Sequence, residues 1–245
     1  MEIRICKTPA ELGKSAAKYV AEELRRIIAE KGCARIALST GASQFDTISS
    51  LIQEDVDWRC VEMFHLDEYV NLPKSHKASF RKYLKERFTS HVNLKKAHFV
   101  DGTPEGIATL SEEILRAPID IGLIGIGENA HIAFNDPPAD FEVEDPYIIV
   151  NLNDTCKNQQ VGEGWFACAD DIPKQAVSMS VKQILRCKKI VSCVPYAVKS
   201  KAVKETLTNE KTNLIPATIL KEHPSFILYV DQDSAAAILA DGVAL

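Results

Sequence analysis

The run Ile119-Asp120-Ile121-Gly122-Leu123-Ile124-Gly125 is almost continuously apolar. It leads into Ile126-Gly127-Glu128-Asn129-Ala130-His131-Ile132-Ala133-Phe134-Asn135-Asp136-Pro137-Pro138. An apolar run without alternation, ending in glycines and polar groups, is the pattern of a central parallel strand buried on both faces. Ile190–Val194 and Phe226–Val230 share that look, and Arg35-Ile36-Ala37-Leu38 is a shorter version. Helical patterns lie between these runs. Thr8-Pro9-Ala10-Glu11 spells a capping box with proline at the first helical position, and Gly32 offers a stop. Residues 78–88 place Phe80, Tyr83, Leu84 and Phe88 on one stripe, and 104–115 reads as a further helix. Strands alternating with helices predict an α/β fold: a three-layer, mainly parallel doubly wound (Rossmann-like) sheet with helices on both faces. No repeat, low-complexity tract or linker divides residues 1–245, so a single domain is expected. The stretch 150–175 is polar, holds two glycines and lacks clear periodicity, which reads as a mobile lid.

Composition narrows the function classes. The 245 residues carry 29 Lys+Arg against 34 Asp+Glu, a net charge of −5, and 46% are hydrophobic. A chain of that length buries a core without metal or disulfide staples. Its acidic balance argues against nucleic acid as a partner, because neutralising phosphates needs a basic face. No run of about 18 apolar residues predicts a membrane span, and charges at Glu2 and Arg4 interrupt any signal-like start. The seven cysteines are odd in number and form no CxxC pair, as expected of reduced thiols in a cytoplasmic protein.

In an open α/β sheet, ligands bind beyond the carboxyl ends of the strands. Four polar segments fall there: 39–43, 67–69, 127–136 and 195–199. Ser39-Thr40-Gly41-Ala42-Ser43 joins a strand to a helix, and hydroxyls, a glycine and free helix amides together suit a phosphate; the same residues also make an ordinary capped turn. The Gly13-Lys14-Ser15 triplet lies inside the first helix and is no phosphate loop. Asp67-Glu68 is either a solvated acidic pair or a carboxylate base beside a substrate. His65 and Asp67 share a strand face by period two, yet no third ligand has metal spacing. Gly125-x-Gly127-x-x-Ala130 superficially matches a dinucleotide fingerprint, but Pro137-Pro138 cuts any following helix to about two turns. The alternative is a tight glycine turn presenting Asn129, His131 and Asp136, an imidazole whose tautomer a neighbouring carboxylate can fix for proton transfer.

Taken together, Leu38-Ser39-Thr40-Gly41, the run from Phe64 to Pro73 (FHLDEYVNLP) and Gly125–Pro137 resemble the glucosamine-6-phosphate deaminase (isomerase) family, which shares its fold with 6-phosphogluconolactonases. Phe134-Asn135-Asp136-Pro137 follows the deaminase branch; the lactonase pattern lacks that tail. The resemblance implies that Asp67 moves the sugar C2 proton and that His131 opens the pyranose ring. It makes Asn129 and Asp136 the residues that orient and tune the imidazole. Ser39, Thr40 and Gly41 would contact the phosphate, with Lys199 as the phosphate lysine. The implied partner is a small-molecule sugar phosphate. Neither metal nor nucleotide cofactor is needed, and monomer and homo-oligomer stay open. A carboxylate of ordinary pKa, about 4.3, would be ionised and ready at neutral pH.

Four positions depart from the family pattern. Ala130 replaces a glycine, so a positive φ there would be strained. Asp136 is one methylene shorter than the usual glutamate, while Asn129 is a tolerated variant. Residues 153–166 lack the family's lid arginine, with Lys157 as a weaker substitute. The acidic stretch 140–145 would repel a phosphate effector, so no allosteric site of the family's kind is expected. A non-catalytic sugar-phosphate sensor and a lactonase-type hydrolase are the alternatives.

Overall fold

In the computed structural model, which describes residues 1–162 and 164–242, seven parallel strands form one sheet in the order β1-β10-β9-β6-β2-β3-β5. The strands are β1 (Glu2–Cys6), β2 (Ala34–Leu38), β3 (Val61–His65), β5 (Lys96–His98), β6 (Ile121–Leu123), β9 (Lys189–Val194) and β10 (Phe226–Asp231). A second, antiparallel sheet pairs β4 (Asp67–Tyr69) with β8 (Gln175–Met179) and β8 with β7 (Tyr147–Asn151). Glu163, inside the expected lid, and the Cys156 side chain lie outside the described residues.

The long first helix, α1 (Pro9–Lys31), forms as its end signals predict. Thr8 Oγ1 accepts from Glu11 N–H at 3.2 Å, and Gly32 closes the helix at φ 78°. With α2 (Phe45–Leu51) it covers one sheet face, and the packing demands a glycine: a Cβ on Gly13 would run into the backbone of Asp46 and Thr47. The aromatic stripe of 78–88 joins that face as α3 (Phe80–Leu84), which widens into a π-turn over Lys85–Thr89. The opposite face is covered by α4 (Pro104–Leu115), α6 (Val181–Leu185), α7 (Ser200–Thr208) and α8 (Ala236–Ala240). The three-layer, doubly wound α/β class is thus observed.

The expected irregular lid differs from what forms. Residues 150–175 contain the end of β7, then α5 (Asp154–Gly162), then a short turn of 3-10 helix before β8. The overlooked signal is the β-branched run Ile148-Ile149-Val150: Ile148 and Val150 are partly buried on one face, while Ile149 between them is exposed. No helix among the described residues is long and apolar enough to cross a membrane.

The chain runs outward from β2 to β3 and β5, then returns to β6 on the other side of β2. That reversal parts the connections leaving β2 and β6 and opens a crevice at the carboxyl edge of the sheet.

Candidate active site

The turn after β2 forms the floor of this crevice. Ser39 N–H donates to the Leu123 carbonyl at 2.9 Å, continuing the β2–β6 ladder by one step, and Gly41 turns the chain at φ 100°. The Gln44 side-chain amide donates to Ser43 Oγ at 3.0 Å and to the Cys193 carbonyl at 3.1 Å, tying the turn to β9. Ser39 Oγ is buried with no hydrogen-bond partner among the described residues. A desolvated hydroxyl is costly unless a ligand or water satisfies it.

The connection after β6 holds no helix, so the dinucleotide reading fails. Gly127 N–H bonds to the His131 carbonyl at 2.9 Å and Ala130 N–H to the Gly127 carbonyl at 3.0 Å, folding the chain into a knot of turns. Gly127 must be glycine, because the His131 imidazole occupies the position a Cβ would take. Ala130 sits at φ 61°, the strained left-handed conformation anticipated for it. His131 Nδ1 lies 2.6 Å from Asn129 Oδ1 and 3.2 Å from Asp136 Oδ1, and Asn129 Nδ2 donates to that same Asp136 oxygen at 3.1 Å. Two oxygens at Nδ1 place the neutral ring's proton there, leaving Nε2 as an acceptor. The shorter aspartate therefore still reaches its histidine. Asn135 anchors the far end of the loop by donating to the carbonyls of Ile132 (2.8 Å) and Met179 (2.9 Å).

Asp67 and Glu68 come from β4, in the second sheet. Asp67 faces the crevice yet is only 7% exposed. Burial, and then Glu68 beside it, push its carboxyl up to about 8. The expectation of an ordinary carboxylate is thereby corrected: β8 and the surrounding apolar core desolvate it. His65 does not join this site. It ends β3, fully buried against Phe99, with neither ring nitrogen hydrogen-bonded among the described residues and its basicity lowered to about 3 by burial and by Arg81. Among the described residues, no group of three or more His, Cys, Asp or Glu converges on a metal-sized position.

Beyond β9, Tyr196 adopts φ 81° and its N–H donates to both Asp231 carboxylate oxygens, at 3.1 and 3.3 Å. This strained start sends the 3-10 turn Ala197–Lys199 across the crevice, where Lys199 is 6% exposed.

Ser39, Thr40, Gly41, Asp67, His131 and Lys199 all line one cleft, with Asn129 and Asp136 bonded behind the imidazole. Four chain segments separated by tens of residues meet there. Lys157 is not among the lining residues; α5 instead contributes Gln160, whose Oε1 accepts from the Tyr69 hydroxyl at 2.8 Å. Tyr69 in turn packs against Phe80, Phe134 and Phe166, so α5 rests on an aromatic cluster that reaches the segments carrying Asp67 and His131. Gln160, Ser43, Glu128 and Tyr196 escaped the roles assigned from sequence. Nothing in the composition of 154–162 distinguishes Gln160 from its neighbour Gln159.

With this geometry in hand, the relatives are informative. Residues 7–228 match the family described as glucosamine-6-phosphate isomerases/6-phosphogluconolactonase, and the chain belongs to it. Among its relatives is a glucosamine-6-phosphate deaminase of Staphylococcus epidermidis, 38% identical over 90% of this chain and 94% of that protein. A solved monomeric glucosamine-6-phosphate deaminase is 26% identical, covers 96% of this chain and 99% of its own, and superposes with a TM-score of 0.87. A 6-phosphogluconolactonase from Shewanella baltica, 17% identical with a TM-score of 0.76 over 94% and 97% of the two chains, is similar in fold alone.

Proposed function

We propose that this protein converts glucosamine 6-phosphate, or a close hexosamine 6-phosphate, to fructose 6-phosphate and ammonia. The observation that carries the reading is one cleft holding a base and an oriented imidazole beside a hydroxyl-rich turn and a buried lysine. Ser39, Thr40, Gly41 and Lys199 grip the phosphate, which fixes the sugar over the other two groups. Such positioning lowers the entropic part of the barrier.

His131 Nε2, its tautomer set by Asn129 and Asp136, takes the proton of the anomeric hydroxyl and returns it to the ring oxygen as the C1–O5 bond breaks. The open chain now bears a C1 carbonyl, which acidifies the C2 hydrogen. Asp67 removes that hydrogen and delivers a proton to C1, giving a ketose imine. Water adds at C2 and ammonia leaves. An Asp67 held near pKa 8 carries its proton at neutral pH in the free enzyme. The ammonium of the amino sugar favours the charged carboxylate as it binds, so substrate creates the base it needs. Once ionised, a carboxylate of raised pKa is also the stronger base.

The test is ammonia release from a panel of hexosamine 6-phosphates, with Asp67→Asn as the control. Release by the wild type that the substitution abolishes supports the assignment; release untouched by it removes Asp67 as the base. No ammonia from any of them leaves a sugar-phosphate-binding protein. A cytoplasmic setting belongs to the same proposal, in keeping with the free thiols of the described cysteines.

A further inference from the structure

Glu68 takes no part in the chemistry proposed above, yet it is fully buried one residue from the base. Successive strand residues point to opposite faces, so it lies behind Asp67, turned from the cleft. Five donors converge on it. Its Oε2 accepts from Ser79 Oγ and Arg81 N–H, each at 2.8 Å, and from Arg81 Nε at 3.3 Å. Its Oε1 accepts from Tyr69 N–H at 3.0 Å and Phe80 N–H at 3.2 Å. These are the surroundings of an anion, supplied by the otherwise unpartnered amides of the first turn of α3 and by one guanidinium. The helix so held has two jobs in the cleft: Phe80 forms part of the wall, and the Tyr83 hydroxyl donates to the Gly41 carbonyl at 3.0 Å. A continuous chain of contacts therefore runs from the base strand through Glu68 and α3 to the phosphate turn.

We infer that Glu68 is a positioning residue, a fixed anion held directly behind Asp67 that locks the base strand, α3 and the Gly41 turn together. This rests on the reading of Asp67 as the base. The other groups around Asp67 do not supply that charge. On α3, Arg81 is already engaged by Glu68. The β8 residue opposite Asp67 is the neutral Ser178, and Tyr147 on β7 spends its hydroxyl on the His65 carbonyl. Across the cleft stand His131, Glu128 and Lys199. The rise in the Asp67 pKa, due first to burial and second to Glu68, agrees with this arrangement.

The experiment measures kcat and kcat/KM for glucosamine 6-phosphate against pH in the wild type, Glu68→Gln, Glu68→Asp and Ser79→Ala. Glu68→Gln is expected to move the acid limb of kcat/KM down by about one pH unit and to lower kcat on the plateau about tenfold. Glu68→Asp restores the limb, and Ser79→Ala, which costs one hydrogen bond but no charge, leaves it in place. A folded Glu68→Gln with the wild-type limb overturns the inference, as does an equal shift in Ser79→Ala. Should Glu68→Gln not fold, Arg81→Gln gives the answer: removing the cation moves the limb upward, and an unmoved limb overturns the inference. A wild type that releases no ammonia defeats the deaminase reading itself; an active wild type with an unmoved limb defeats only the role of Glu68.

Discussion

The floor of the cleft is made of turns leaving β2, β6 and β9, whereas its roof comes from β4, α3 and α5 through Asp67, Phe80 and Gln160, with β8 pairing behind β4. In the floor, each functional group sits within a few residues of the strand that delivers it, and backbone bonds such as Ser39 N–H to Leu123 hold it there. In the roof, every such tie runs through a side chain: Tyr69 to Gln160, and the Glu68 carboxylate to Ser79, Arg81 and the first amides of α3. The difference separates two tasks. A floor built on parallel strands fixes the Ser39–Gly41 turn and the His131 imidazole, while the roof desolvates Asp67.

The largest expected effect falls where roof meets floor. Asp67→Asn should lower kcat by about 10²–10⁴-fold with little change in KM, measured by ammonia release. The same carboxyl sets the pH response. Wild-type kcat/KM should climb until about pH 8, the point at which the free enzyme loses the Asp67 proton. Below that point each pH unit costs about tenfold. The folded state holds this proton more tightly than the unfolded chain does. Its contribution to stability is therefore full below about pH 4 and lost as pH rises to about 8. Melting curves should accordingly show Asp67→Asn more stable than wild type at pH 8, with the gap closing toward pH 4.

Lys199→Ala tests the floor alone. Loss of a charge-assisted contact worth about 1.5–3 kcal/mol should raise KM roughly 10–100-fold and leave the pH profile in place. Gln160→Leu tests the roof alone: it removes the neutral hydrogen bond accepted from the buried Tyr69 hydroxyl, so the melting temperature should fall by about 2–4 °C and KM should rise less than it does in Lys199→Ala. A Gln160→Leu effect as large as that of Lys199→Ala would erase the distinction between the two regions. The smallest effect is Ala130→Gly in the floor. Relief of the left-handed strain at φ 61° offsets the loss of a buried methyl and the added freedom of the unfolded chain. Stability should change by less than about 1 kcal/mol, and kcat should stay as it is.

Legibility in the sequence follows the same division. Ser39–Gly41, Asn129, His131, Asp136 and Lys199 were readable because they directly follow apolar strand runs, and that is where an α/β sheet presents its ligands. Asp67 was readable as a candidate but not in its chemistry, since an elevated pKa depends on what β8 and α3 pack around it. His65 misled, because period-two reasoning assumed one continuous strand through Asp67. The chain instead passes from the parallel sheet at β3 to the antiparallel sheet at β4, and the two side chains part. Lys157 misled for another reason: charge pointed to it, but the orientation of α5 delivers Gln160.

Local sequence by itself determined the long apolar strands of the parallel sheet, the capped first helix, the glycine turns and hence the doubly wound class, because hydrophobic period and backbone conformation are properties of neighbours along the chain. Tertiary structure alone decided that four remote segments share one cleft, that Asp67 is desolvated and Glu68 is not a second base, and which face of α5 looks inward. Burial and side-chain contact depend on which elements pack together, so even where partners are neighbours in the chain, as Asp67 and Glu68 are, the sequence does not say how far they are desolvated.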